Sequence, residues 1–452
     1  MQNQTQAQQK KYTMMIESPV EKLVIRLAIP SIITMLISAI YNMADTFFVA
    51  RLDIQSPAAV GIVFSYMAFI QATAFFFGQG SANYISRALG ARDVENAKLM
   101  ASTGFFTTLI VGVLIALSGF IFMDKLLKLL GSTETILPAA RAYFRYILIG
   151  TPIIMTSFVM NNQMRFQGNA WMGMAGIATG AVLNIILDPI FIFVFKMGVA
   201  GASLATMLSQ CVSFLILLSF TGKGDELPIN IKYFKPTLQQ YREITAGGLP
   251  SLGRQGLASI AVAYLNSLAG FYGDLAIAAM SVVNRLVMFA GSVLIGFGQG
   301  FQPVCGFNFG AKEYGRLKKA YYFSVIVATI YCGILSIAGY FGGSEVIALF
   351  RPDDPELIEL GAMALRFQSY AFIFVGYVVI GNMFLQSTRK VVRASIIASL
   401  RQGFMLALSL YVCRGLFGLT GIAMAQPVAD ALSFLISVPL VVSGLRELNA
   451  GF

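Results

Sequence analysis

Asn184-Ile185-Ile186-Leu187-Asp188-Pro189 sets a carboxylate in a run otherwise almost wholly Ile, Leu and Phe. Burying an ionised carboxylate in hydrocarbon costs several kcal/mol, so such a residue is a functional-site hypothesis by default. Asn184 precedes Asp188 by four residues and shares its helix face. Pro189 has no N–H and frees the carbonyl of Ile185. A carboxylate, an amide and a loose carbonyl on one face can hold a proton or a small cation. Only three acids fall well inside apolar helical stretches: Asp45, Asp188 and Asp430. Asp45 and Asp188 lie at similar depth, as does Thr206. Two carboxylates close together in a low-dielectric site cannot both ionise cheaply. The pair can therefore take up a proton, or bind a cation when both are ionised. The bland alternative for all four residues is structural hydrogen bonding.

The elements that must carry these side chains are membrane spans. The chain has 452 residues, 57% hydrophobic and 12% charged, with mean hydropathy +0.74. Repeated apolar stretches near 20 residues are read as transmembrane helices. The net charge of +11 would suggest nucleic acid in a soluble protein, but here the basic residues sit in short loops and set topology, so no nucleic-acid partner is expected. No histidine is present, which leaves proton handling to carboxylates. Cys211, Cys305, Cys332 and Cys413 are scattered singly and make neither a metal spacing nor a disulfide framework. With no metal or nucleophile–base constellation, no enzyme activity, metal or cofactor is expected. Residues 1–15, Gln-rich and polar, are expected to be a disordered tail.

Twelve helices are predicted, over 24–50, 57–85, 99–123, 138–162, 173–196, 199–221, 244–270, 276–302, 317–341, 361–386, 392–414 and 419–443. Alternate loops are rich in Lys and Arg. The opposite set holds only Arg51, Lys125, Lys128, Lys196, Arg351 and Arg414. The positive-inside rule then puts both termini in the cytoplasm. A shift of 220 residues superposes the chain on itself. Pro30-Ser31 falls on Pro250-Ser251, Phe77-Gly78-Gln79-Gly80 on Phe297-Gly298-Gln299-Gly300, Gly90-Ala91 on Gly310-Ala311, and Gly198 on Gly418. The predicted fold is an all-α polytopic membrane protein made of two parallel six-helix repeats, a two-lobe bundle. The N-lobe spans 16–221, a cytoplasmic linker 222–243, and the C-lobe 244–452. Parallel repeats flanking a cleft are a secondary-transporter layout. Under the repeat Asp45 falls on Leu265 and Asp188 on Leu408, so the fold itself does not require these acids.

Three further groups are singled out. Pro30 lies 15 residues before Asp45 in the first span and leaves room for a kink, either a bending element or an inert one. Tyr41, Asn42, Met155, Phe158 and Asn161 are candidates for an adaptable cavity wall. Asp430 with Arg401 and Arg254 reads first as a buried ion pair fixing helix packing, and second as another coupling site. The paired Gly-Gln-Gly motifs read as close-packing or kink sites.

These residues resemble the multidrug and toxic compound extrusion (MATE) family, in its DinF-like and MepA-like branch. The carriers are Pro30 with Tyr41 through Ala50, Gly90-Ala91, Asn184 through Pro189, Gly198 through Thr206, and Gly298 through Gly310, covering nearly the whole chain after residue 15. The resemblance implies a V-shaped two-lobe antiporter of the prokaryotic plasma (inner) membrane. It would export small organic, often cationic, compounds in exchange for H⁺ or Na⁺, with membrane lipid around a monomer. It implies a first-half cation site of Asp45, Asn184, Asp188 and Thr206, and Pro30 as the proline whose helix bends. Some members place further coupling acids in helices seven and ten. Here those helices contain none. The alternative cargo on the same fold is a lipid-linked saccharide, which would call for a strongly basic cavity.

Overall fold

In the computed structural model, residues 2–53, 55–224, 226–350 and 354–448 are described. Ten helical stretches among them are long and apolar enough to cross a membrane. They include α2 (Val20–Val49), α3 (Gln55–Gly90), α4 (Val94–Ile121), α6 (Leu137–Phe166), α7 (Ala170–Pro189) and α8 (Val199–Phe220). In the second half they include α10 (Asp274–Gly310), α11 (Tyr314–Phe341) and α13 (Pro355–Ser387). The last stretch joins α14 (Val391–Ser399) to α15 (Met405–Glu447) and is broken at Gly418, φ +59°, so it holds two crossings. The less apolar α9 (Leu238–Ala269) is the repeat image of α2 and completes twelve. Short helices α1 (Gln2–Glu17), α5 (Met123–Leu129) and α12 (Gly343–Ala348) lie outside this set.

The helices are apolar outward and small or polar inward. On α11, Ile326, Ile330, Ile334 and Ile337 are exposed along one stripe, while Ala320, Ser324, Ala328 and Cys332 are buried. That inversion fits hydrocarbon, where helices associate through small residues and hydrogen bonds rather than through apolar burial.

The 220-residue repeat is written into the backbone. Gly198 and Gly418 both adopt φ +59°. Arg92 and Lys312 adopt φ 60° and 61°. Around them the helix ends close alike: Asp93 N–H donates to the Ala88 carbonyl at 2.8 Å and Glu313 N–H to the Asn308 carbonyl at 2.9 Å. These are matching left-handed C-terminal caps. The contact between the halves obeys the same symmetry. A Cβ on Gly90 would strike the Phe307 carbonyl, and one on Gly310 the Arg87 carbonyl, each contact being the other's image. Gly306 sits against Ser86, its own image, and so marks the pseudo-two-fold axis. In the Gly-Gln-Gly motifs, Gly80 meets the backbone of Ile244 and Gly300 that of Ala28. The motifs are close-packing sites, as their composition suggests.

All these contacts lie at one end of the bundle, the face on which α2 begins and α15 ends. Ion pairs bind that face across the halves. Arg87 bonds Glu243 at 3.0 Å, Arg389 takes the other oxygen of Glu243, and Lys319 bonds Glu21 at 2.9 Å. Among the described residues the opposite face carries local pairs, such as Arg141–Asp124 at 2.6 Å and Lys128–Glu134 at 2.7 Å.

Two expectations need correction. The polar start is not a disordered tail: it forms α1, with Met15 fully buried, Lys11 3.6 Å from Glu226, and the Arg92 guanidinium 4.4 Å from the Tyr12 ring centroid. Gln, Ala, Lys and Met are good helix formers, and distant partners supply the packing that the segment's composition does not advertise. The linker is also shorter than 222–243. Helix α9 begins at Leu238, where the Thr237 hydroxyl accepts the Gln240 N–H at 3.3 Å as an N-cap. What remains is pinned to the first half, with Leu227 N–H donating to Gln167 at 2.8 Å and Asn230 N–H to Ser102 at 3.2 Å. Arg351 of the poorer loop set lies outside the described residues.

Gly90→Ala and Gly310→Ala should each destabilise the protein by about 1–3 kcal/mol, because the new methyl meets backbone that cannot move aside. Gly256→Ala, with open space around it, should not destabilise. Thermal melting of the purified variants compares the three, and a harmless Gly310→Ala would contradict the close approach described.

Candidate functional site

The inner residues of α7 face α8. The amide of Asn184 donates to Asp188 Oδ1 at 3.2 Å and to Thr206 Oγ1 at 3.3 Å. Asp188 is wholly buried, Asn184 and Thr206 nearly so. Helix α7 ends at Pro189 and continues as a π-helical turn over Ile190–Val194. Such turns are rare and frequent at functional sites. Helix α2 packs on α7 and brings Asp45, 9% exposed, within electrostatic reach of Asp188. Asp45 Oδ1, Asp188 Oδ2 and Asn184 Oδ1 are buried with no hydrogen-bond partner. Three open acceptor oxygens, two on the bonded pair Asn184 and Asp188 and one on Asp45 within electrostatic reach, with no Lys or Arg bonded to either acid among the described residues, form a site that a proton or a small cation would complete.

Tyr41 of α2 and Tyr143 of α6 complete the surroundings, each within electrostatic reach of both acids. Tyr143 was missed from sequence: a lone Tyr in an apolar helix has no spacing to betray it. Of the other wall candidates, Met155 is fully buried in the first-half core and Asn161 is buried against Gly173 of α7. They pack inside the half because α6 is among its most enclosed helices. Phe158 is half-buried against Phe75, ring centroids 5.5 Å apart. Asn42 turns its amide to the Ser38 carbonyl at 2.7 Å.

That last bond belongs to a ladder. Thr34 donates to the Pro30 carbonyl at 2.8 Å, Ser38 to Thr34 at 2.8 Å, Asn42 to Ser38 and Thr46 to Asn42 at 2.9 Å. Every fourth residue from the proline to the acid thus back-bonds its own helix. Such bonds compete with the helix ladder and often bend it. In this structure α2 runs unbroken through Pro30.

In the second half Arg401 Nε donates to Asp430 Oδ1 at 2.8 Å, Gln426 to the same oxygen at 2.8 Å, and Gln368 to Oδ2 at 3.3 Å. Arg401 sits in the second π-helical turn, Leu400–Phe404. Gln426 is the repeat image of Thr206, whereas Asp430, Arg401 and Gln368 are the images of Gln210, Ala181 and Leu148, so the network shares one position with the first-half site. Arg254 does not join the network: no hydrogen bond or ion pair links it to Asp430. Arg401 lies within the electrostatic reach of Arg254, which in turn lies within that of Arg165.

With fold and site in view, the chain has the two-repeat architecture of a membrane transporter. A family model described as MatE matches residues 30–190 and 250–413, one match in each half, and the chain belongs to that family. It is 30% identical to the multidrug export protein MepA of Staphylococcus aureus (strain MSSA476), over 436 residues and 95% of each chain. A crystal structure of a MATE protein in complex with MaL6 superposes with TM-score 0.92 at 26% identity, covering 97% of this chain and 99% of that one. An outward-facing multidrug resistance MATE family transporter of the MOP superfamily superposes with TM-score 0.91, also at 26% identity, over 97% of this chain and 98% of the other.

If Arg401–Asp430 is a packing pair, Arg401→Leu strands a buried carboxylate and should cost about 3–5 kcal/mol, whereas Arg401→Leu with Asp430→Leu should recover most of it. Melting temperatures of the single and double variants decide this; a double variant no more stable than the single contradicts the pairing.

Proposed function

We propose that this chain is a secondary active multidrug exporter, moving small organic, often cationic, compounds out of the cell against an inward flux of H⁺ or Na⁺. It acts as a transporter rather than an enzyme. The observation that carries the reading is the open-oxygen site of Asp45, Asp188, Asn184 and Thr206, present in one half and replaced by Leu265 and Leu408 in the other. The likeness to MepA, a multidrug export protein, supports the cargo.

The basic loops favour a cytoplasmic position for the face on which the halves meet. The closed end is then cytoplasmic and the conformation outward-facing, in keeping with the outward-facing transporter it resembles. Alternating access exchanges that contact for one at the other face. Occupation of the acids by a proton or cation changes the charge beside α2, whose back-bonded segment from Pro30 to Thr46 is the element able to bend in response. Tyr41 and Phe158 would border the cargo. One charge crossing 100 mV supplies about 2.3 kcal/mol, enough for roughly a 50-fold substrate gradient.

Asp188→Asn keeps shape and hydrogen-bonding capacity but cannot exchange charge. It should abolish export of a fluorescent organic cation while the protein remains folded by size-exclusion chromatography. In vesicles, an imposed pH or Na⁺ gradient should drive transport in the native chain and not in the variant. Wild-type transport indifferent to both gradients would sink the antiport reading, and full activity in Asp188→Asn would remove the acid from it.

A further inference from the structure

The two halves share a fold and differ in buried charge. The first-half site holds two carboxylates and no guanidinium bonded to them. The second half holds Arg254 and Arg401 with the single acid Asp430, and Arg165 of α6 stands close by at the boundary. Arg401 spends its charge on Asp430. Arg165 is buried and bonds only neutral groups, Gln299 Oε1 at 2.6 Å and Asn162 Oδ1 at 2.5 Å, with its Nε unpartnered. Arg254 makes no ion pair or hydrogen bond with any described residue, and its Nε is sealed from solvent without a partner. Arg254 thus lies in electrostatic range of Arg165 on one side and Arg401 on the other, and the carboxylate of Asp430 is bonded to Arg401.

The fold does not impose this. The repeat images of Arg254 and Arg401 are Thr34 and Ala181. Like charges in a poorly solvated site repel, and a buried guanidinium without a partner is costly. The residue as a whole keeps partial exposure while its Nε is sealed. At mid-depth in a span it would not open to hydrocarbon, which leaves the cleft between the halves. Leu257, one turn along α9, packs on Gly403 beside Arg401, which fixes that face of α9 against the Leu400–Phe404 turn. A planar guanidinium fixed by its stem is suited to bidentate capture of a carboxylate or phosphate.

We propose that Arg254, in the field of Arg165 and Arg401, is a binding site for the anionic group of an organic ligand. The acids of the first half and this arginine of the second would then read opposite ends of one cargo, a compound bearing both a cationic nitrogen and a carboxylate. The site rests on the multidrug-export reading and extends its substrates beyond simple cations.

The test uses two dyes that differ only in the anionic group: rhodamine 123, a cationic methyl ester, and rhodamine 110, its parent carboxylic acid. Binding to the purified full chain is followed by fluorescence anisotropy. Arg254→Gln should weaken the acid about tenfold or more and the ester less than about twofold, a difference suited to a charge-assisted bond. Arg254→Lys, which keeps charge without the fork, should fall between. Melting temperature monitors the fold; if the glutamine variant proves unstable, the lysine variant and the salt sensitivity of the acid's binding in the native chain carry the test. Equal loss of both dyes, or native binding of the ester alone, overturns the anion site and leaves multidrug export standing. Native binding of neither dye overturns both. Displacement of the acid, but not the ester, by phosphatidylglycerol in mixed micelles supports the same site and assigns it to a lipid phosphate.

Discussion

In hydrocarbon no water stands ready to satisfy a polar group, so each must find its partner inside the protein or be left for something that arrives. Most of this chain's interior obeys the first course. Serines and threonines bond the carbonyl one turn back, and Gln79, Asn162 and Gln163 bond their neighbours. The second course is taken in several places, buried serines such as Ser157 and Ser209 among them. The oxygens of Asp45 and Asp188 differ from those in belonging to carboxylates with no basic side chain bonded to them among the described residues.

The two-fold design separates what the fold needs from what function adds. Whatever appears in both halves serves construction: the left-handed caps at Arg92 and Lys312, the φ +59° glycines, the backbone contacts of Gly90 and Gly310. Whatever appears once is free of that duty. By this criterion Asp45, Asp188 and Arg254 stand apart, and so does the back-bonded ladder of α2, since the repeat images of Ser38 and Asn42 are Ala258 and Val262, which have no side-chain donor. Asp430 is intermediate. Its partner Gln426 is the repeat image of Thr206, but the acid itself is held by Arg401 and two amides, an arrangement suited to packing.

The spans, the repeat and the first-half acids were legible in the sequence because each breaks a strong physical rule or repeats one: a carboxylate among isoleucines, a glycine returning at fixed offset. The twelve predicted segments find their helices, though most run further than hydropathy alone indicates, as at Leu238, where a threonine cap extends the helix into polar sequence. The ladder from Pro30 to Thr46 was there to be read in a spacing of four. Other features were not legible. Helix α1 depends on Glu226 and Arg92, far along the chain. The pairing of Asp430 with Arg401, Gln426 and Gln368 rather than with Arg254 depends on how α9, α13 and α15 pack. Tyr143 became visible only when α6 was set against α2.

Glu243 is held by two arginines, one from each side of the boundary: Arg87 on α3 and Arg389 in its own half. If the halves part at that face, the carboxylate keeps Arg389 and is never stranded; only Arg87 must find new company, at an end of the bundle where water is near. The clasp therefore resists sliding and misregister while it is shut, yet contributes little resistance to release. Such a joint holds firmly and lets go without a high barrier, a mechanical quality that a single buried ion pair, tight and all-or-none, would not provide.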